Sequence, residues 1–318
     1  MINKRTPVHS SIYKKSYAAS LFLRGVINKV GQLRFLGISE YYRAARSELP
    51  NTNQIALVAI VKDEAPYLQE WVDYHLLLGV DHIFIYDNES TDHIYSVIRP
   101  YILQNKLTYI KFPGKGVQEK AYMNCVAKIK NQFGWVLCID IDEFLQPLTD
   151  LSLHEWLRNI PDQVSQIEIG WMLFGSSGFK TRPSGLVIEN YLHHAQNQFL
   201  SDYKPIARPS RITGMKFPHA FEVIGNTVNE AGKRLYSYPF WNRRGATPAP
   251  RKLFRINHYY CKSYEEFLKK SGRGDASVPD RKPRGDFEFK EHDQNDVFDD
   301  SMLPYAMKLK AEAHKNEK

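Results

Sequence analysis

The chain contains 318 residues, of which 43% are apolar and 13% aromatic, so it can bury a substantial core, and general disorder is excluded. Its net charge of +8 is unevenly spread: residues 1–50 hold nine Lys and Arg against two Glu, giving +7, and the rest of the chain carries about +1. A body so close to neutral is not a nucleic-acid-binding surface by composition.

Residues 1–50 form a basic N-terminal extension, in which an amphipathic helix is expected near residues 17–35. Its longest apolar run, residues 18–23, is too short to span a bilayer and lacks a secretory cleavage signature. The three cysteines of the chain show no CxxC spacing, which argues against structural zinc and a disulfide scaffold. We therefore expect a cytoplasmic protein. Its extension suits either peripheral contact with an anionic membrane, at the inner face of the cytoplasmic membrane, or a solvated tail.

An alternation of strands and helices begins after a linker that ends near residue 54. The apolar run 55–64 predicts a buried parallel strand, and a helix beginning at Pro66 and closed by Gly79 follows it. Further strands are expected at 83–86 and 107–112, and further helices at 92–102 and 118–130. Because each strand ends in polar residues, this pattern indicates a doubly wound α/β sheet whose polar strand ends gather at one edge.

The stretch GWVLCIDIDEFLQP, residues 134–147, brings acids to the end of another apolar strand. Residues 135–139 lead directly into Asp140, Asp142 and Glu143. Buried carboxylates need a cationic partner or a metal. No GxGxxG motif follows the first strand, and Gly114 lacks P-loop spacing. We therefore predict a divalent-metal site that holds a phosphorylated substrate through carboxylates and the metal.

Residues 151–260 contain short β-like runs separated by Gly, Pro and Asn, which predict a mixed sheet region that completes the pocket. The runs are VSQIEIGWMLF, GLVIENYL, RITGMKF, AFEVIGNTV and KLFRINHYY. A short helix over 264–270 and an exposed, charged helix over 302–318 are expected after them. The predicted domains are the extension 1–50, a main domain 51–275, and a charged C-terminal extension 276–318.

Six sequence blocks occur in order between residues 55 and 275. They are VKDEAPYLQEWVDYHLLLGVDHIFIYDNESTD, QEKAYMNC, WVLCIDIDEFLQP, WMLFGSSG, KPIARP and INHYYCKSYEEF. Together they resemble glycosyltransferase family 92 within the wider group of family 2-like GT-A glycosyltransferases. The resemblance implies a GT-A fold, that is, a Rossmann-like doubly wound mixed sheet with a second, acceptor-side sheet region. It also implies a metal-dependent, inverting hexosyltransferase that uses Mn²⁺ or Mg²⁺, a nucleotide-sugar donor, usually UDP-linked, and a glycan or glycolipid acceptor.

The resemblance assigns the metal ligands. Asp140 and Asp142 match the family's DxD motif, which would bind the metal and the donor diphosphate. A hard cation on carboxylate oxygens would stabilise the charge that the leaving diphosphate gains. His258 falls at the position of a late metal-binding histidine, with His219 as its rival. Glu143 is expected to support the metal ligands or to cap the following segment.

The same resemblance implies which residues bind the nucleotide-sugar donor. The candidate donor-binding residues are Lys62, Asp63, Glu64, Asp87, Gln118, Tyr122 and Asp140. Asp87 would accept a hydrogen bond from the uracil N3–H, whereas Asp63 and Glu64 have the alternative of only starting the helix at Pro66. The cationic residues Lys204, Arg208 and Arg211 would neutralise phosphate or form a solvated face.

An inverting transfer also needs a general base beside the acceptor hydroxyl. Glu222 is the first candidate and Asp202 the second, with Glu230 as a further alternative. The candidate acceptor-binding residues are Trp171, Ser176 and Ser177. Trp171 would stack on a sugar ring or belong to the core, and the two serines, flanked by glycines, would bind sugar hydroxyls or only form a tight turn.

The chain departs from eukaryotic members of the family, which carry a membrane anchor and luminal disulfides. We therefore expect a bacterial member that acts on lipid-linked lipopolysaccharide or capsule intermediates, with UDP-galactose or UDP-glucose as the donor. The rival functions are a metal-dependent phosphotransferase or nuclease that uses the same acids, and a membrane-associated binding protein with a degenerate site.

Overall fold

The computed structural model describes residues 48–196, 202–235, 250–273 and 284–316. The basic extension, with its expected amphipathic helix, lies almost wholly outside these ranges, so the predicted membrane contact falls outside the described residues. Among the described residues, no helix is both long enough and apolar enough to cross a bilayer.

The described residues form eight α-helices and fourteen strands. The helices are α1 (Ala65–Leu77), α2 (Ile94–Leu103), α3 (Gln118–Ile129), α4 (Leu153–Arg158), α5 (Val187–Asn190), α6 (Tyr264–Gly272), α7 (Asp286–His292) and α8 (Leu303–Asn316). The strands are β1 (Ile55–Val61), β2 (His82–Asp87), β3 (Leu107–Lys111), β4 (Trp135–Cys138), β5 (Glu143–Pro147), β6 (Val164–Leu173), β7 (His193–His194), β8 (Tyr203–Ala207), β9 (Ile212–Phe217), β10 (Ala220–Val223), β11 (Asn226–Asn229), β12 (Arg234–Leu235), β13 (Phe254–His258) and β14 (Val297–Phe298).

The central sheet is mixed, with the strand order β12-β11-β6-β8-β4-β1-β2-β3. Strands β3, β2, β1 and β4 run parallel, as the alternating sequence pattern predicts. Strand β8 enters antiparallel between β4 and β6, and marks the start of the second sheet region. The expected doubly wound α/β sheet with a second, mixed sheet region is therefore confirmed.

Both faces of the sheet are covered, which explains why β1 is apolar at every position. On one face, α1 and α2 pack against a core that contains Leu57, Trp71 and Leu137. On the other face, α3 and the β9–β10 hairpin pack around Val58, Cys138 and neighbouring residues. Helix α1 stops at Leu77, and Gly79 follows with φ of +103°, a conformation that glycine adopts without strain.

Strand β13 joins the two halves of the chain at the site. It pairs antiparallel with β5, so that His258 lies opposite Glu143, and parallel with β6, so that His258 also lies opposite Leu173. The segment that follows Asp140 is therefore hydrogen-bonded directly to a strand more than 100 residues later.

Two details differ from the sequence prediction. The GLVIENYL run was expected to be β-like, but residues Val187–Asn190 form the short helix α5. Both Val187 N and Ile188 N donate to the buried Glu70 carboxylate of α1, at 2.7 and 3.0 Å, and this contact favours the helical turn.

The C-terminal helix α8 was expected to be exposed, but Met302 and Ala306 are buried in the main core.

Candidate active site

The acidic residues lie on a tight turn between β4 and β5, at the carboxyl ends of the parallel strands. Glu143 N donates to Asp140 O at 3.1 Å and closes the turn. The indole Nε1 of Trp71 donates to both carbonyls, Asp140 O at 3.1 Å and Glu143 O at 2.9 Å. Helix α1 therefore holds the backbone of the turn through the Trp71 indole.

Asp140 is bound by residues from two other elements. Gln118 Nε2 and Tyr122 OH on α3 donate to Oδ1 at 2.9 and 3.3 Å, and Lys204 Nζ on β8 contacts Oδ2 at 2.7 Å. Burial alone would raise the pKa of Asp140, but the Lys204 ammonium outweighs it and holds this pKa below its usual value. Gln118 and Tyr122, predicted to face the nucleotide, thus lie directly beside the acidic turn.

Lys204 and Glu143 are both buried behind Asp140. Lys204 is 1% exposed, and its Nζ lies 3.3 Å from Glu143 Oε2, which also accepts the N–H of Asp140 at 2.9 Å. Burial lowers the pKa of Lys204, but the two carboxylates more than reverse this and raise it above the usual value. For Glu143 burial dominates and raises its pKa. Lys204 is therefore neither part of a solvated face nor open to a ligand: it is the internal counter-ion of the turn.

Asp142 points toward the later part of the chain. Its Oδ2 lies 3.4 Å from His258 Nε2 and forms an ion pair with Lys270 Nζ on α6. Burial favours the neutral carboxylic acid, but Lys270 and His258 together hold the pKa of Asp142 well below its usual range. The pKa of His258 is lowered, because burial of the ring outweighs the attraction of Asp142. A neutral imidazole has a lone pair available for a metal.

The Asp142 and His258 pair has the chemistry of a divalent-cation site. Two ligands about 2.1 Å from one ion, at roughly right angles, lie about 3 Å apart. The observed 3.4 Å between Asp142 Oδ2 and His258 Nε2 is close to that separation. In the part of the chain that the structure describes, no group of three or more His, Cys, Asp and Glu is close enough to hold a cation. The two residues fit two coordination positions, and ligation by Asp140 as well stays a prediction.

The predicted uridine-binding residues surround the ends of β1 and β2. Asp87 Oδ1 accepts Ser90 N at 2.9 Å, and its Oδ2 accepts Tyr109 OH at 2.5 Å. Asp63, with φ of +52°, accepts Thr91 N at 2.7 Å. Aspartate adopts this left-handed conformation more readily than most residues other than glycine. These carboxylates fix the loop after β2, and their binding to uracil stays a prediction.

The remaining donor candidates lie on the same segment. Glu64 immediately precedes α1 but makes no capping hydrogen bond. Its Oε1 pairs with Arg273 just after α6, and Oε2 is buried without a partner among the described residues. Lys62 is half-buried at the end of β1. The expectation that Glu64 starts the helix is therefore not met by its side chain, which instead joins α1 to the later chain.

The acceptor-side candidates are mostly buried. Trp171 is 8% exposed, its ring centroid lies 4.2 Å from that of His258 and 5.0 Å from that of His219, and its Nε1 has no partner among the described residues. Ser176 Oγ accepts Gly178 N at 3.1 Å, and Ser177 Oγ accepts Leu192 N at 2.9 Å. The hydroxyls thus stabilise their own loop, and their contact with sugar stays a prediction.

The three candidates for the general base lie in different environments. Glu222 is half-buried on β10, opposite Gly214 of β9. Asp202 is buried and precedes β8, with its backbone carbonyl bound by Trp171 N at 2.9 Å. The Glu230 carboxylate accepts two backbone N–H groups, at 2.7 and 2.9 Å, so it fastens the segment before β13.

The sequence prediction missed the cations that come from the segment around α6. Lys270 contacts Asp142, and Lys262 and Arg273 add positive charge near it. Lys262 is buried, has φ of +49°, and lies with its Nζ 3.9 Å from the ring centroid of Tyr67. A weak local signal existed: Ser263 and Glu266 form a capping box, which predicts where α6 begins and therefore where its last-turn lysines lie.

The paired acids lie at the carboxyl edge of an α/β sheet, where this class of fold binds its ligands, and they are opposed by a histidine and lysines. The sequence model of the family described as Glycosyltransferase family 92 matches residues 58–267, well over half of the chain. The chain therefore belongs to glycosyltransferase family 92.

The curated relatives are plant members of this family. A Ricinus communis protein is 27% identical over 229 residues, covering 71% of this chain and 38% of that protein. An Arabidopsis thaliana protein is 30% identical over 209 residues, covering 60% of this chain and 36% of that protein. The chain thus spans less than two fifths of the length of these relatives, and they give no support to the expected bacterial source.

Two solved structures show a weak similarity of fold. Staphylococcus aureus TarS has a TM-score of 0.32 and 14% identity, covering 49% of this chain and 47% of that chain. Mycobacterium tuberculosis glucosyl-3-phosphoglycerate synthase, solved with Mn²⁺, UDP-glucose and phosphoglyceric acid, has a TM-score of 0.32 and 16% identity, covering 64% and 77%. TM-scores this low carry no conclusion about the ligands of this chain.

Proposed function

We propose that this protein is a metal-dependent, inverting glycosyltransferase. It moves a hexose from a nucleotide sugar, UDP-galactose or UDP-glucose, to a saccharide or lipid-linked glycan. Family membership supports sugar transfer as the reaction class. The observation that carries metal dependence is the pairing of Asp142 with His258 at the carboxyl edge of the sheet, beside Lys270.

The two aspartates have different roles in this proposal. Asp142 and His258 hold a Mn²⁺ or Mg²⁺ ion, and Asp140, oriented by Gln118, Tyr122 and Lys204, faces the donor. When bound, the cation neutralises the charge that the diphosphate gains as it leaves. Lys204 keeps Asp140 ionised and fixed in place at neutral pH, because its ammonium is buried against the carboxylate.

The donor and acceptor are placed on either side of this centre. The uridine lies against the carboxyl ends of β1 and β2, near Asp63 and Asp87, and the acceptor lies near Trp171. Lipid-linked intermediates of lipopolysaccharide or capsule synthesis are the candidate acceptors in this proposal. These assignments rest on the resemblance and on the position of the residues in the fold.

A thermal-shift screen of nucleotide sugars with and without Mn²⁺ tests the donor and the metal together. We expect a UDP-hexose to raise the melting temperature only when Mn²⁺ is present, and Asp142→Asn to abolish this shift because it removes a charged ligand. Asp150→Asn, at an exposed acid, is the matched control and keeps the shift. If no UDP-sugar gives a Mn²⁺-dependent shift and Asp142→Asn behaves as wild type, the proposal is wrong.

The general base is tested by separating donor binding from transfer. We expect Glu222→Gln to bind the UDP-sugar with unchanged affinity and to lose transfer by about 10²-fold or more, because the acceptor hydroxyl keeps its proton. Asp202→Asn tests the second candidate for the general base in the same way. Full activity of Glu222→Gln would exclude Glu222, and loss of transfer in Asp202→Asn alone would move the role to Asp202.

A further inference from the structure

Lys270 contacts the carboxylate that is best placed to bind a divalent cation. It lies in the last turn of α6, and its Nζ pairs with Asp142 Oδ2. The same oxygen lies 3.4 Å from His258 Nε2. The ammonium group therefore lies beside the two atoms that would hold the cation.

An ammonium and a divalent cation compete for this carboxylate oxygen. Both are attracted to the charge of Asp142, and they repel each other strongly in a poorly solvated site. Asp142 is buried, so solvent screens this repulsion little. Cation binding at Asp142 and His258 therefore favours the arrangement in which Lys270 has moved away.

In the part of the chain that the structure describes, the further contact of Lys270 beyond Asp142 is a weak one. Its side chain is 19% exposed, and its Nζ lies 4.6 Å from the ring centroid of Tyr260. The two flanking cations are more firmly held. Lys262 is buried over Tyr67, and Arg273 pairs with Glu64 and donates to Asp63 O at 2.9 Å. Lys270 is thus the cation near Asp142 whose partner a metal would take.

We propose that Lys270 is a built-in counter-ion of the metal site: it neutralises Asp142 when no ligand is bound, a divalent cation displaces it, and the released ammonium then binds the donor diphosphate. This inference rests on the proposed function, which supplies the metal and the nucleotide sugar. The anionic diphosphate gives the displaced ammonium a new charge-assisted partner.

Binding of the metal and binding of the diphosphate are then coupled through one residue. Each ligand favours the arrangement in which Lys270 has left Asp142, so each raises the affinity for the other, and by the same factor. The free protein binds the metal weakly, because the cation must first break the ion pair.

Titration with Mn²⁺ alone, followed by the EPR signal of the free ion, tests the competition on the full chain. Without nucleotide we expect Lys270→Ala and Lys270→Met to bind Mn²⁺ about tenfold more tightly than wild type, within the usual range of such couplings. Lys270→Arg keeps the charge and stays within about twofold of wild type. Lys269→Ala is the matched control: Lys269 is the neighbouring residue, 71% exposed and paired with Glu265, and its loss leaves Mn²⁺ binding unchanged.

The second half of the inference is tested with UDP at saturating Mn²⁺. We expect Lys270→Ala and Lys270→Met to bind UDP about tenfold more weakly than wild type, because the diphosphate loses its ammonium partner. Equal or weaker Mn²⁺ binding by both folded variants overturns the competition, and unchanged UDP affinity overturns the transfer of Lys270 to the diphosphate.

Failure of this inference is distinguishable from failure of the proposed function. Wild-type protein that binds Mn²⁺ and transfers sugar, without any effect of Lys270 on Mn²⁺ affinity, overturns the counter-ion role alone. Wild-type protein that neither binds a UDP-sugar nor transfers a hexose overturns the proposed function, and the counter-ion role with it.

Discussion

His75 shows how a single buried side chain connects α1 to the strand that follows the acidic turn. Its Nδ1 lies 2.8 Å from Trp71 O, and its Nε2 accepts Leu145 N at 3.4 Å. Both ring nitrogens are satisfied only in the neutral form, since an imidazolium has no acceptor. Burial lowers the pKa of His75 to about 3.

This pKa predicts a loss of stability in mild acid. Below the unfolded pKa of about 6.5 the unfolded chain takes up a proton that the folded protein excludes, so the free energy of unfolding falls by up to about 1.4 kcal/mol per pH unit. The contribution of the neutral His75 ring to the free energy of unfolding is complete above pH 6.5 and decreases as the pH falls toward 3.

Urea unfolding at pH 7.5, 6 and 5 measures this loss of stability. We expect a shallower decrease for His75→Gln, and a decrease equal to that of wild type for His93→Gln, which alters an exposed histidine. Equal slopes for all three proteins would contradict the prediction.

At the scale of elements, helix α8 is part of the core although its sequence is rich in charge. Met302, immediately before the helix, is 1% exposed, and its sulfur lies 3.9 Å from the hydroxyl of Tyr74 on α1. Met307, within the helix, is 65% exposed. The helix therefore packs through a narrow apolar face and leaves the rest of its surface to solvent.

The two methionines provide a matched test of this packing. Met302→Ala removes buried side-chain atoms and leaves a cavity, which we expect to lower the free energy of unfolding by about 3 kcal/mol. Met307→Ala changes it by less than about 0.5 kcal/mol, because the side chain has little contact to lose. Chemical denaturation compares the two. A cost for Met302→Ala as small as that for Met307→Ala would mean that α8 does not pack on the core in solution.

The elements that could be predicted from the sequence are those whose pattern is local. The apolar run of β1 and the Pro66 and Gly79 boundaries of α1 carry their own signals, and the structure follows them within a few residues. Helix α5 could not be predicted in this way. Its residues favour a strand, and it is helical because Glu70, 117 residues away from Val187, accepts its first N–H groups. Tertiary contacts override such weak local preferences.

For the whole molecule, the sequence could locate the centre of the site but not its charge balance. Asp140 and Asp142 are visible because they end an apolar strand. Their partners Lys204 and Lys270 lie 64 and 128 residues further along the chain, and no local pattern connects them. The sequence accordingly predicts a group of acids in need of a cation, and the fold reveals two lysines already in that role.

Strand β13 has a consequence for how the site forms in time. It is the strand that pairs with both β5 and β6, and it places His258 beside an acidic turn more than 100 residues earlier. Contacts between distant parts of a chain form late and slowly, since a long loop must close before they are gained. A ribosome-bound chain that ends before β13 has the parallel strands and the aspartates but lacks His258 and Lys270. The Asp142 and His258 pair is therefore assembled only when β13 pairs with β5 and β6, which the chain order places late in folding.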